Sequence, residues 1–152
     1  MNGIWQALNT AHWDVEPHGA GPSVSRELGA LSAVPGGLGV VDRGAIPYLS
    51  EALAQRDENR ADRLARDPAI KCYLPGVPRG MYMPFPFQLV QTADYVAMIF
   101  EYAHGIRTVH TNGTPHPRGP INWWLGDSRG HWDGDTLVVT TTNFNDRGMI
   151  AS

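Results

Sequence analysis

The sequence has 152 residues, 42% of them hydrophobic, which fits one domain with a buried core. Charged residues make up 18% and the net charge is −3, which excludes a long coiled coil and argues against a nucleic-acid-binding protein. No apolar run approaches the ~18 residues of a membrane span. The single cysteine, Cys72, excludes an internal disulfide. We expect it to be a buried structural thiol or the partner of a cysteine outside this chain.

The first half of the chain predicts little regular structure apart from one helix. Residues 1–48 are rich in Gly and Pro and predict an irregular N-terminal wrap. Within residues 49–68, the segment 51–66 predicts a surface helix, because its apolar stripe is thin and Ser50 is a suitable N-cap. Residues 69–86 contain closely spaced prolines and predict an extended, partly polyproline segment.

From residue 87 to residue 143 the pattern predicts antiparallel strands. The predicted strands cover 87–91, 95–102, 106–111, 121–125, 128–132 and 136–143. Asp133-Gly134 predicts a hairpin turn rather than a calcium loop, which would need further acids. The fold class is therefore mainly β, an antiparallel meander or incomplete barrel in one domain over 1–152. The apolar strand 136–143 leaves an open edge, which predicts a homo-oligomer formed through this last strand.

Polar residues cluster around one predicted hairpin. If His104-Gly105 is a two-residue turn, Glu101 and His110 become diagonal neighbours on one face of the sheet. A carboxylate that orients a histidine is the minimum for general acid–base catalysis, with Arg107 and His116 assisting. Two alternatives remain open: a straight strand through the segment, or an ordinary polar cross-strand pair without catalytic function.

Metal binding is a second interpretation of the six histidines, which are His12, His18, His104, His110, His116 and His131. The candidate ligands of a transition metal are His110, His116 and Glu101. The segment from His12 to His18 is also rich in ligand types. None of the spacings is a recognised ligand signature, so no cofactor is firmly implied.

Further residues are candidates for ligand binding. Arg79 suits a bidentate contact to a substrate carboxylate, with a structural salt bridge as the alternative. The aromatic candidates for a pocket or a sugar-stacking surface are Tyr82, Trp123, Trp124 and Trp132, with burial in the core as the alternative. If Trp123 and Trp124 are neighbours on a strand, one of them faces away from the core.

A set of motifs over roughly residues 45–147 resembles a family of exported bacterial proteins with no established activity. The motifs are Pro47-Tyr48-Leu49-x-Glu51-Ala52, Lys71-Cys72-x-x-Pro75-Gly76-x-Pro78-Arg79, Pro84-x-Pro86-Phe87-Gln88, Glu101-Tyr102, Arg107-Thr108-Val109-His110-x-Asn112-Gly113-x-Pro115-His116-Pro117, Gly130-x-Trp132-x-Gly134-Asp135-Thr136-Leu137-Val138-Val139 and Asn143-Phe144-Asn145. Members of that family are longer, with further strands and a later cysteine, so the resemblance implies that this chain is shorter. It also implies export to the periplasm or beyond, with the cytoplasm as the alternative.

Two functions follow from these observations. The first is an exported module that binds a small molecule or a polymer and assembles through its open sheet edge. The absence of a Gly-x-Ser-x-Gly nucleophile motif and of a dinucleotide fingerprint favours it. The alternative is an exported lyase, isomerase or hydrolase that uses Glu101 and His110 as an acid–base pair.

Overall fold

The computed structural model describes residues 1–8, 14–22 and 33–148, and it divides the chain into two compact units. The sheet unit contains residues 1–6 and 85–148, and the helical unit contains the described residues between 7 and 84. A single domain over 1–152 stays a prediction. His12 lies outside the described residues. In the described part of the chain, no helix has both the length and the apolar character needed to cross a membrane.

The sheet unit is built on six strands that follow one another in chain order across an open sheet. They are β1 (Gly3–Trp5), β2 (Phe87–Gln91), β3 (Tyr95–Phe100), β4 (Ile106–His110), β5 (Asp127–Asp133) and β6 (Thr136–Thr142). The predicted mainly β fold is confirmed. The outermost strands are β1 and β6, so the last strand is an edge, as predicted. Asp133 pairs with Thr136, which confirms the predicted hairpin turn.

Three details of the sheet differ from the prediction. β1 is a strand within the segment expected to be irregular, and it pairs with β2. β4 and β5 run parallel, so the sheet is mixed, and the loop 111–126 is a crossover connection rather than a chain of hairpins. Residues 121–125 are not a strand, because only Trp123 pairs there, in a single bridge to Phe144.

The register gives the sheet two different faces. The inner face carries Val96, Val109 and Ser128, which lie side by side on β3, β4 and β5 and are each at most 2% exposed. The outer face carries the alternate residues of the same strands, of which Ile106, His110 and Arg129 are exposed or half-buried. This alternation follows from the two-residue period of a strand. Functional side chains on β4 and β5 are therefore sorted by parity between core and solvent.

The helical unit contains α1 (Ser50–Ala61), α2 (Arg63–Arg66) and α3 (Arg79–Tyr82). The helix predicted over 51–66 is present but is interrupted at Asp62, which departs from helical backbone angles. Ser50 is the first helical residue rather than the cap, and no side chain caps α1. None of the residues of α1 is buried, as expected for a surface helix.

The proline-rich segment is less extended than predicted. Pro68–Lys71 forms a 3-10 turn, and α3 makes one helical turn between Pro78 and Pro84. Pro68 is the first residue of the 3-10 turn, and Pro78 and Pro84 flank α3, so closely spaced prolines did not exclude a short helix. The expectation of a buried Cys72 is wrong, because Cys72 is exposed and ends the 3-10 turn in the left-handed backbone region.

Candidate functional site

The predicted pairing of Glu101 with His110 is wrong. Ile99 pairs with Ile106, so His110 lies opposite Tyr95 rather than opposite Ile99. Glu101 lies beyond the end of β3, six residues along the chain from Tyr95, or about 20 Å at the rise of a strand. The physical reason is the loop: it spans more than His104-Gly105, because Tyr102–His104 form a 3-10 turn with left-handed angles at Ala103 and His104.

His110 instead lies beside a cluster of polar residues on the outer face of the sheet. Its parallel neighbour on β5 is Arg129, which is bonded to Asp127 on the same strand. The members of this cluster, here called the His116 cluster, are Thr114, His116, Asp127, Arg129 and Thr142. The parallel pairing of β4 with β5 brings these side chains together, since it folds the loop 111–126 back onto the start of β5.

Asp127 is the anchor of the His116 cluster. Arg129 holds both of its carboxylate oxygens, with Nε to Oδ2 and Nη2 to Oδ1 each at 2.8 Å. Such a bidentate pair fixes the plane of the carboxylate as well as its position. Burial alone would raise the pKa of Asp127, but hydrogen bonds from Arg129 and His116 outweigh it and lower the pKa below its ordinary value. Asp127 is therefore ionised at neutral pH.

The ring of His116 is oriented by that carboxylate. Its Nδ1 lies 2.6 Å from Oδ2 of Asp127 and 3.1 Å from Oγ1 of Thr142. An ionised carboxylate accepts only, so Nδ1 carries the proton and donates it. The side chain of His116 is 28% exposed, and its Nε2 makes no hydrogen bond to a described residue. The cluster thus leaves one oriented ring nitrogen available to an incoming molecule.

The remaining contacts hold the crossover loop on the sheet. Arg129 donates through Nη1 to Oγ1 of Thr114 at 2.5 Å. Thr142 donates to Oδ1 of Asn143 at 2.7 Å, and the amide of Asn143 donates to the carbonyl of Ile121 at 2.9 Å. These bonds fix the loop on both sides of His116, which restricts the ring to one place.

Arg107 does not belong to this site. It lies on the inner face opposite Met98, and it donates to Oγ of Ser128 at 3.1 Å and to Oγ1 of Thr141 at 2.9 Å. Burial lowers the pKa of Arg107 from its ordinary value. Arg107 is therefore a buried polar side chain of the sheet, separated from His116 by the sheet itself.

Arg79 and Tyr82 lie in the helical unit, on α3. Arg79 forms a bidentate ion pair with Asp67, with both contacts at 2.8 Å, and both side chains are at most 5% exposed. This geometry agrees with the structural salt bridge that was the alternative to a substrate contact. Tyr82 is buried, and burial, partly opposed by the charge of Arg79, raises the pKa of its phenol. Neither side chain is presented to solvent for a ligand.

The tryptophans do not form one binding surface. Trp123 and Trp132 are each 41% exposed, but they lie toward opposite ends of β6: Trp132 pairs with Leu137, whereas Trp123 forms a bridge to Phe144. Trp124 is half-buried in a turn. Because Trp123 and Trp124 are not on a strand, the predicted alternation between faces does not apply to them.

The metal hypothesis gains no support from the geometry. Across residues 1–8, 14–22 and 33–148, no three or more His, Cys, Asp or Glu side chains are grouped to hold a metal ion. Glu101 is remote from His110, and Nδ1 of His116 is occupied by Asp127. The three predicted ligands are therefore not brought together.

Sequence reasoning found His116 but missed its partners Asp127 and Arg129. The available signal was the i, i+2 spacing of Asp127 and Arg129 on a strand, which places opposite charges on one face. The chain matches no family model, no curated protein and no solved structure. The resemblance to exported bacterial proteins, and the location it implies, stay predictions.

Proposed function

We propose that this protein is a general acid–base catalyst acting on a small molecule, with His116 as the group that transfers the proton. The observation that carries the proposal is the 2.6 Å contact between Nδ1 of His116 and the carboxylate of Asp127, which Arg129 holds by two hydrogen bonds. The reaction class is that of the predicted lyase, isomerase or hydrolase. The acid–base pair is His116 with Asp127 in place of the pair formed by His110 and Glu101.

Each member of the cluster has a separate part in this chemistry. Nε2 of His116 accepts a proton from the bound molecule and later returns it. Asp127 is a positioning residue, because its carboxylate holds the Nδ1–H tautomer and stabilises the imidazolium that forms. Arg129 keeps that carboxylate ionised and in one plane.

The proposal is tested with p-nitrophenyl acetate, an ester that a basic imidazole attacks or hydrolyses. We compare the wild type with His116→Gln, Asp127→Asn and the matched control His131→Gln. His131 lies on β5, two residues from Arg129, and is exposed. We expect His116→Gln and Asp127→Asn each to lower the rate at least about tenfold, since an acid–base group contributes ~10²–10⁴-fold.

The matched control separates the His116 cluster from an exposed histidine of the same strand. We expect His131→Gln to keep the wild-type rate. Equal rates in His116→Gln, His131→Gln and the wild type would contradict the proposal, because His116 would then contribute no more to the reaction than the exposed His131. Circular dichroism of each variant verifies that the sheet is retained.

A second candidate function, binding and assembly through the sheet edge, rests on the chemistry of β6. Its sequence Thr136–Thr142 contains no charged residue and no proline, the usual features that protect an edge. Among the described residues, no backbone group pairs with its outer side. Antiparallel pairing with β6 of a second copy brings no like charges together, so a second copy is the partner proposed here.

Assembly is tested by native mass spectrometry of the wild type and of Val138→Lys. Val138 lies in the middle of β6 and is 38% exposed, so a lysine there opposes edge pairing without disturbing the core. We expect a dimer in the wild type and a monomer in the variant. The matched control is Ile106→Lys, which places the same charge at an exposed side-chain position of β4, a strand that lies between two others in the sheet. A monomeric wild type contradicts assembly.

A further inference from the structure

A polar cavity in the helical unit has no part in the function proposed above. Its volume is about 280 Å³. It is lined by Asp14, His18, Gly19, Ala20, Gly21, Val34, Arg60 and Arg63. The walls are the end of α1, the start of α2 and a two-stranded ribbon in which His18 pairs with Gly37 and Gly21 with Val34. A cavity of this size accommodates a small molecule rather than a polymer.

Two arginines supply positive charge to one side of the cavity. Arg60 lies near the end of α1, Arg63 is the first residue of α2, and both side chains line the cavity. Arg63 donates through Nη2 to the carbonyl of Pro22 at 2.8 Å, which fixes its guanidinium at the rim. Arg60 makes no hydrogen bond or ion pair to a described residue. Its guanidinium is therefore available to an anion.

His18 contacts two backbone carbonyls beside the cavity. Its Nδ1 lies 2.9 Å from the carbonyl oxygen of Glu16, and its Nε2 lies 3.1 Å from that of Pro35. Carbonyl oxygens only accept hydrogen bonds, so the imidazolium alone donates to both. The ring therefore joins the two sides of the ribbon and carries a positive charge beside the cavity when it is protonated.

The negative groups near the cavity are placed differently. Asp14 is 2% exposed and accepts a hydrogen bond from the backbone amide of Glu16 at 3.0 Å. The carboxylate of Glu16 is paired with Arg56 at 3.1 Å, and Asp62 lies 3.9 Å from Arg66. Only Asp14 among these acids lines the cavity, and it favours a hydrogen-bond donor on the ligand.

We propose that this cavity binds a small organic anion, whose carboxylate or phosphate contacts Arg60 and Arg63 and whose hydroxyl or amino group faces Asp14. Gly19 adds no side chain to the lining, and no atom lies within 4 Å of the position that its Cβ would take. A hydroxylated carboxylate and a phosphate ester both offer an anionic group and a hydrogen-bond donor, and the experiment below distinguishes between them.

The test is isothermal titration calorimetry of the full chain at constant ionic strength, with glycolate, acetate and glycerol 3-phosphate as probes. We expect glycolate to bind at least fivefold more tightly than acetate, because only glycolate has a hydroxyl for Asp14. Tighter binding of glycerol 3-phosphate than of glycolate identifies a phosphate site, and the reverse order identifies a carboxylate site.

Variants assign the binding to the cavity. We expect Arg60→Gln to weaken the binding of the preferred probe about tenfold, and Arg60→Lys to recover part of it. Arg60 is exposed, so both variants retain the fold. The matched control is Arg43→Gln, which removes an exposed arginine with a 92% exposed side chain in the same unit. We expect it to change the affinity less than twofold.

Two outcomes overturn the proposal. One is the absence of saturable binding for all three probes, and the other is an equal loss in Arg43→Gln and Arg60→Gln, which would show general electrostatic attraction. Both are independent of the activity at His116, because no residue of the His116 cluster lies in the helical unit.

Discussion

The interactions within the sheet unit differ from the interactions within the helical unit. In the sheet unit, six paired strands provide backbone hydrogen bonds, and apolar side chains such as Val96 and Val109 are buried on one face. In the helical unit, α1 has no buried residue, and charged side chains connect the segments, among them Arg56 with Glu16 and Arg79 with Asp67. Paired strands and buried apolar side chains thus dominate the first unit, whereas the second combines buried ion pairs with a core that includes Tyr82 and Met83.

The largest expected effect is the loss of the buried ion pair in the helical unit. Arg79→Met leaves the carboxylate of Asp67 buried without its partner, and we expect it to lower the free energy of unfolding by about 3–5 kcal/mol. The measurement is urea denaturation followed by circular dichroism. Arg147→Met, which removes an exposed arginine, is the control. If Arg79→Met lowered the free energy of unfolding by less than about 1 kcal/mol, the buried ion pair would not be important for the stability of the helical unit.

Two glycines of the sheet unit, Gly126 and Gly113, differ in how closely other atoms pack against them. Gly126 and Gly113 both have left-handed backbone angles, but a Cβ at Gly126 would lie 2.6 Å from Cγ2 of Thr141, whereas a Cβ at Gly113 meets open space. We expect Gly113→Ala to cost about 1 kcal/mol from the backbone alone. Gly126→Ala adds the steric cost and reaches about 3 kcal/mol. Thermal or urea denaturation of both variants measures the difference, and equal losses would contradict this packing at the start of β5.

The contrast between the units also explains what the sequence could predict. β2 was predicted to the residue, and the hairpin at Asp133-Gly134 was found, because alternation and turn chemistry are local signals. The ribbon that pairs His18 with Gly37 was not predicted, because it depends on contacts between segments distant in the sequence. The same reason explains why Arg79 was a candidate for substrate binding before its partner Asp67 was known.

The candidate site was predicted only in part. His116 was selected as an assisting residue, but its orientation depends on Asp127, which the crossover from β4 to parallel β5 brings to it. Tight turns favour antiparallel neighbours, so no local pattern indicated that pairing. The register of the hairpin between β3 and β4 was wrong because Ala103 takes a left-handed angle that its residue type does not indicate.

For Asp127 we expect a smaller effect on stability than for Arg79, and one that depends on pH. The pKa of Asp127 is lowered in the folded chain, so its contribution is present above the unfolded value of about 3.9 and is lost as the pH falls through the folded value. We expect Asp127→Asn to lower the free energy of unfolding by about 1–3 kcal/mol at pH 7. Urea denaturation between pH 7 and pH 3 measures this difference, which should shrink below pH 4. A constant difference would contradict the ion pair with Arg129.

The most direct test of the acid–base site is the tautomer of His116, read from the nitrogen NMR signals of the histidine rings at a pH where they are neutral. We expect a proton on Nδ1 and none on Nε2 in the wild type, and loss of that preference in Asp127→Asn. His131, which lies exposed on the same strand, serves as the internal reference for a ring without a fixed tautomer. A proton on Nε2 of His116, or the same averaged signals as His131, would contradict the account.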